Sequence, residues 1–257
     1  MSGSLEVCFN MVKGNVVNIP KVVHVCWKNK DVVNSKSPLI LNGLRNIIDM
    51  NPDWDVVIYD DSEIEYYLKD HLTYNNYKLI EDCHIVEKSD MWRLFKMFNE
   101  GGMYIDIDRL YNIKMSDIVT DGVLCVLPMC LDMDFSQDIM ISAPYNPICT
   151  TTLNLIIERR KQGYNSGYTY FLGPQTYMHG VTLALLGRQI DTNPSKEDLL
   201  AIREKIEQSG FIKMVREDPP YNTAVNKCTN PPDYNEWVAM KKDFYASEDV
   251  KHWTGEW

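Results

Sequence analysis

Apolar and polar positions along this chain switch between a period of two and a period near 3.6, and the switches mark out its elements. Val22-Val23-His24-Val25-Cys26-Trp27 is a short run rich in β-formers, bounded by Pro20 and by polar Lys28-Asn29-Lys30, and predicts a buried strand. Over residues 38–50, Leu41, Leu44, Ile47 and Ile48 fall at helical spacing, with Pro38 at the start and Asn51-Pro52 as the stop. Residues 54–59 predict a second strand, and Asp60-Asp61-Ser62 then offers capping oxygens to a helix carrying Ile64, Tyr67 and Leu68. A further short helix is expected around residues 77–80. This strand–helix alternation predicts a parallel α/β sheet with right-handed crossovers.

The stretch from Ser89 to Asp108 concentrates the most information. Met91, Leu94, Phe95 and Phe98 make one apolar stripe of a helix, while Asp90 and Arg93, three apart, share another face where they can pair or reach a common ligand. Gly101-Gly102 stops that helix, because glycine tolerates the positive φ of a chain reversal. A short strand follows, and alternation predicts Ile105 and Ile107 in the core with Asp106 and Asp108 together on the other side. Beyond it, residues 119–128, 139–143 and 211–215 predict strands, and 148–160, 174–186 and 196–208 predict helices. The remaining tail is rich in Pro, Asn, Lys and aromatics; the N-terminal residues carry no clear period, and 1–18 read as a flexible arm. With no internal repeat or linker, a single domain over 1–257 is the simplest organisation.

Composition narrows the function classes. The chain has 257 residues, 45% hydrophobic and 24% charged, which is ordinary for a globular protein able to bury a substantial core. A formal net charge of −10 argues against nucleic acid as a partner, since phosphate backbones call for basic patches. The seven cysteines are odd in number and none is spaced as C-x-x-C, so neither a disulfide framework nor a zinc site is expected. No leader pattern or transmembrane run is seen, and the expectation is a cytoplasmic protein.

Two carboxylates leaving a sheet at its carboxyl end sit where open α/β sheets bind ligands, and they repel one another unless a cation stands beside them. Carboxylate oxygens suit Mg2+ or Mn2+, which such sites share with substrate phosphates. An Asp-x-Asp alone says little: Asp53-Trp54-Asp55 and Asp132-Met133-Asp134 also match, and both read as surface charge because neither follows a helix with a polar face and a glycine turn. Trp27 at a strand end is equally consistent with simple core packing, Tyr104 with packing, and His24 and His84 with structural roles.

The larger constellation of Ser89-Asp90, Arg93, Gly101-Gly102, Tyr104, Asp106 and Asp108 resembles the signature of DXD-containing glycosyltransferases of the Och1-like mannosyltransferase type, glycosyltransferase family 32, related to the catalytic domains of large clostridial glucosylating toxins. Ile19-Pro20-Lys21-Val22-Val23-His24 with Trp27, Asn51-Pro52 with Trp54, Asp60-Asp61 and Gly173-Pro174 are similar to further parts of it. The resemblance implies a GT-A fold, a Rossmann-like nucleotide-sugar sheet continuous with an acceptor half. It implies that Asp108 holds a divalent metal on the donor diphosphate and that Asp106 contacts the donor directly or through the metal. It implies that Asp90 and Arg93 hold sugar hydroxyls, that Trp27 stacks on the base and that Tyr104 is among the donor-binding residues. The ending His252-x-x-Gly255-x-Trp257 resembles those that close over the diphosphate, making His252 a third metal ligand or phosphate contact and Trp257 a donor contact. Glu256 departs from the serine usual there and leaves the metal shell open. The implied activity is metal-dependent, retaining transfer of a hexose from a UDP- or GDP-linked sugar to a glycan acceptor. Two other readings stand beside it: a toxin-like enzyme that glycosylates protein, and a catalytically silent sugar-nucleotide-binding protein.

Overall fold

A computed structural model of the chain describes residues 18–111, 114–130, 134–163, 173–190, 192–217 and 234–250. Its frame is a seven-stranded sheet: β1 (Val22–Cys26), β2 (Asp55–Tyr59), β3 (Gly102–Ile105), β4 (Cys125–Cys130), β5 (Asp134–Phe135), β6 (Ile139–Ser142) and β7 (Ile212–Glu217). The strands lie in the order β2-β1-β3-β6-β4-β5, with β7 also paired to β4. β2, β1 and β3 run parallel, as strand–helix alternation requires, and β4–β7 is parallel too. β6 lies antiparallel to both β3 and β4, and β5 is antiparallel to β4, so the wholly parallel sheet expected from the alternation is corrected to a mixed α/β sheet. The reason is local. β4, β5 and β6 follow one another through short connections with no crossover helix between them, and only antiparallel pairing closes over so few residues.

The central element is the Ile85–Asn99 helix, which starts earlier than the sequence stripe suggested. His84 caps it: Val86 N–H donates to His84 Nδ1 at 3.2 Å, and Glu87 Oε2 accepts from His84 N–H at 3.0 Å. Its expected stripe is present in Met91 and Leu94, but Trp92, Met97, Asp90 and Arg93 are buried as well, so this helix is enclosed on nearly all sides. Burial of a charged pair on such a helix marks a place where charge has work to do.

The turn from this helix into β3 uses both glycines at positive φ, +67° at Gly101 and +94° at Gly102. A Cβ on Gly101 would lie 2.7 Å from Pro144 N and from Ser142 O. Gly101→Ala is therefore expected to cost about 1–3 kcal/mol, the scale of one strained backbone position, and urea unfolding would measure it. His24 locks the same turn from β1, its ring Nε2 donating to the Gly101 carbonyl at 3.1 Å. Burial lowers the His24 pKa, which keeps the ring neutral.

After β6, Asn146 caps the Pro147–Lys161 helix, and Gly173 opens the Pro174–Leu186 helix at the Gly-Pro singled out in the sequence. The tail, to which the sequence reading assigned no element, contains a further helix, Tyr234–Ser247, which packs Phe244 and Tyr245 against the core. Trp237, Lys241 and Tyr245, spaced by four, lie along one side of it. Among the described residues no helix is long and apolar enough to cross a membrane.

Candidate active site

The sheet's carboxyl edge opens into a cavity of about 920 Å³, and its walls include Trp27, Asp90, Arg93, Tyr104, Asp106 and Asp108. Six residues taken from scattered sequence positions thus face one space. The cavity is the place where β1 and β3 end side by side, with His24 opposite Tyr104 and Val25 opposite Ile105.

Arg93 is the hub. Its Nη2 lies 2.9 Å from Asp90 Oδ1 and its Nη1 lies 3.1 Å from Asp106 Oδ1. Nη1 also donates to the Gln137 carbonyl at 3.1 Å, and the guanidinium carbon sits 4.3 Å from the centre of the Tyr104 ring. Tyr104 O–H donates to Asp106 Oδ1 at 2.5 Å, so this tyrosine orients a carboxylate as well as packing. One turn of helix and one strand end are thereby tied into a single network. Burial lowers the Arg93 pKa, but Asp106, Tyr104 and Asp90 outweigh it and hold the guanidinium firmly charged.

The two aspartates differ in character. Strand β3 ends at Ile105, and Ile107 and Asp108 already belong to a turn. The strict alternation expected through Asp108 is therefore corrected: the turn, not the pleat, brings both carboxylates to the cavity. That turn is braced by Asp106 N–H, which donates to the Asp138 carbonyl at 2.7 Å, and by Tyr111 O–H, which donates to the Asp106 carbonyl. Burial pushes the Asp106 carboxyl up to about 6, Arg93 opposing it while Asp108 and Asp138 add to it. Burial also acts upward on Asp108, but Lys241 beside it, with Arg109 and Tyr245, holds its carboxyl below the usual range. Lys241 Nζ stands 2.7 Å from Asp108 Oδ2, and Tyr245 O–H donates to the same oxygen at 3.0 Å. Trp237 Nε1–H reaches the Asp108 carbonyl at 3.2 Å.

Asp90 is the most deeply buried acid of the set. Burial drives its carboxyl up to about 7, with Arg93 pulling down and Asp106 and Glu87 pushing up. A carbon-13 titration of the Asp90 carboxyl resonance is expected to centre near 7, well above the ordinary carboxylate range near 3.9. A midpoint below about 5 would show that Arg93 outweighs desolvation.

Trp27 reaches the cavity, but one face of its ring is stacked on Phe244 at 4.9 Å and its edge meets Tyr245 at 5.5 Å. Its Nε1–H donates to Glu248 Oε2 at 3.3 Å. The Asp53 carboxylate is exposed and paired with Lys21, in keeping with its reading as surface charge. His24 and His84 serve the glycine turn and a helix cap, as expected. Asp132, His252, Glu256 and Trp257 lie outside the described residues.

Sequence reasoning missed Gln137, Asp138, Arg109, Lys241 and Tyr245, all of which line the cavity. Arg109 pairs with Asp138, and Gln137 Nε2 donates to Asp90 Oδ1 at 3.1 Å. Only the i, i+4, i+8 spacing of Trp237, Lys241 and Tyr245 offered a signal in the sequence.

A divalent ion is what the resemblance of the Asp-x-Asp implies, and the residues fit one. Among the described residues, Asp106 engages protein donors through Oδ1 and Asp108 through Oδ2, which leaves the second oxygen of each for a ligand. The carboxyl of Asp106 is held high in part by the neighbouring Asp108 and Asp138 charges, a repulsion that a cation relieves. Among the same residues no three His, Cys, Asp or Glu side chains converge into a closed cage. Two carboxylates with open positions suit an ion that shares its coordination with phosphate oxygens.

Comparison with known proteins agrees with this geometry. The family described as glycosyltransferase sugar-binding region containing DXD motif matches residues 39–123. Mannosyl phosphorylinositol ceramide synthase SUR1 of Saccharomyces cerevisiae is 25% identical over 134 residues, 50% of this chain and 32% of that protein. Inositol phosphoceramide mannosyltransferase 1 of Schizosaccharomyces pombe is 21% identical over 159 residues, 62% of this chain and 49% of that protein. The chain thus spans between a third and a half of the length of these curated relatives. Among solved structures, PaToxG Glycosyltransferase aligns with a TM-score of 0.48 at 16% identity, over 79% of this chain and 86% of that one. Residues 39–123, which contain Asp90, Arg93, Asp106 and Asp108, are similar to the sugar-binding region of DXD-containing glycosyltransferases.

Proposed function

We infer that this chain transfers a hexose from a nucleoside diphosphate sugar to a glycan hydroxyl, with retention at the anomeric carbon, on a GT-A frame. The observation that carries the reading is the buried Asp90–Arg93–Asp106 network opening onto the same cavity as Asp108. In this reading Asp90 and Arg93 hold hydroxyls of the sugar, and Asp106 and Asp108 hold Mn2+ or Mg2+ against the diphosphate. A cation bound there would lower the charge that builds on the departing diphosphate. The bond from the anomeric carbon to the diphosphate oxygen breaks, a bond to the acceptor oxygen forms, and the acceptor hydroxyl loses its proton. Charged Arg93 keeps Asp90 and Asp106 in place while this happens. Trp27, stacked on Phe244 in the cavity wall, is the aromatic for a nucleobase in this reading.

The names of the yeast relatives put mannose first among the hexoses, and inositol phosphoceramide among the acceptors worth assaying. A panel of UDP- and GDP-hexoses with Mn2+ tests the reading through release of free nucleoside diphosphate. Turnover of at least one donor that stops in excess chelator is expected; no turnover of any donor, with or without acceptor, would contradict it.

A further inference from the structure

Lys241 holds an ammonium where a divalent ion on Asp108 would have to be its neighbour. Its Nζ lies 2.7 Å from Asp108 Oδ2, and the two side chains are 8% and 13% exposed. Tyr245 O–H donates to the same oxygen at 3.0 Å, and Trp237 Nε1–H donates to the Asp108 carbonyl at 3.2 Å. The ammonium also sits 4.6 Å from the centre of the Trp237 ring and 6.0 Å from that of Tyr245. One side of the Tyr234–Ser247 helix thus fixes the lysine against the aspartate, and the buried charge has little room to swing into solvent. The wall of the cavity carries six carboxylates against four basic side chains, so it is short of positive charge. Arg93 is committed to Asp90 and Asp106, Arg109 to Asp138, and Lys28 stands 3.8 Å from Glu248. Lys241 stands on the carboxylate that the reading above gives to the ion.

Two opposed effects follow. The surplus of carboxylates repels a diphosphate that arrives without a cation, and a fixed ammonium beside Asp108 repels a divalent ion that arrives without an anion. An ion and a diphosphate that bind together offset both costs, since each brings the charge that the other lacks. We propose that Lys241 is a positioning residue, acting through Asp108, that makes ion and donor bind as a unit: its ammonium weakens the hold of Asp108 on a divalent ion until a nucleoside diphosphate is present. The inference rests on the reading that places the ion on Asp106 and Asp108.

The test measures Mn2+ binding without turnover, through the electron paramagnetic resonance signal of free Mn2+, for the chain alone and with UDP or GDP. In wild type, at least one of the two nucleotides is expected to tighten Mn2+ about tenfold, within the ordinary range of coupling between two sites. Lys241→Gln keeps a hydrogen-bond donor and loses the charge. It should bind Mn2+ alone about tenfold more tightly than wild type, with the coupling reduced to about threefold or less. Lys241→Arg keeps the charge and should retain the coupling. A lysine that only holds the fold would give the opposite sign, because its loss would loosen Asp108 and weaken Mn2+ with and without nucleotide. Mn2+ that binds wild type equally well with and without UDP or GDP would overturn the inference on the native chain, whether or not the variants fold. Lys241→Gln that binds Mn2+ alone no more tightly than wild type would also overturn it, and either result leaves the metal reading intact. No Mn2+ binding to wild type with either nucleotide would overturn both.

Discussion

Replacing Arg93 by alanine should destabilise the folded chain by about 3–5 kcal/mol, the cost of leaving buried charge without its partner. Both the Arg93 and Asp90 side chains are nearly inaccessible, at 6% and 5%, and the guanidinium is the counter-charge of Asp106 as well. Its removal strands two acids already pushed upward by burial, so both carboxyls would take up protons near neutral pH. The stacking of the guanidinium on Tyr104 and the bond to the Gln137 carbonyl are lost with it. Arg93→Lys keeps a charge but cannot reach Asp90, Asp106 and Gln137 at once, and should fall between the two. Urea unfolding followed by tryptophan fluorescence measures this directly. A loss below about 1 kcal/mol would put the network in the class of solvent-exposed ion pairs and remove it from the centre of the account.

Asp106→Asn and Asp108→Asn address chemistry. Each should lower donor turnover by about two to three orders of magnitude, the scale on which removal of one electrostatic contact to developing charge acts. The reasons differ. Asp106 is locked by Arg93 and Tyr104, so its amide would reverse a donor–acceptor relation inside a fixed network. Asp108 faces Lys241 and Tyr245, so its neutral form leaves Lys241 in a buried place without its carboxylate. Nucleoside diphosphate release, with thermal melting to show that each variant is folded, separates the two effects. Turnover within threefold of wild type in either variant would show that its carboxylate does not act in the reaction.

The contrast between these residues explains what was legible in the chain. Asp90, Arg93, the glycine pair and Asp106 are close in sequence, and helical spacing plus a glycine turn suffices to bring them near one another. Gln137 and Asp138 reach the same place because β6 lies antiparallel to β3, a pairing that the sequence reading did not assign. Lys241 and Tyr245 sit in a tail rich in Pro, Asn, Lys and aromatics, to which no element was assigned, and their helix packs through tertiary contact. Tertiary burial extends beyond the legible helix stripe, because Ile85–Asn99 buries polar residues beside its apolar ones. The metal reading rests on a local motif, and the Lys241 contact to Asp108 does not.

The most direct test of the central claim is the melting temperature of the chain with a nucleoside diphosphate hexose and Mn2+, alone and together, in wild type and Asp108→Asn. A ligand bound only by the folded state raises apparent stability in proportion to its saturation. The donor to use is the nucleoside diphosphate hexose that the donor panel shows to be turned over. The account predicts a rise of several degrees for wild type when donor and ion are both present, little with either alone, and none in the variant. An equal rise in wild type and Asp108→Asn, or a full rise with donor in the presence of chelator, would contradict it.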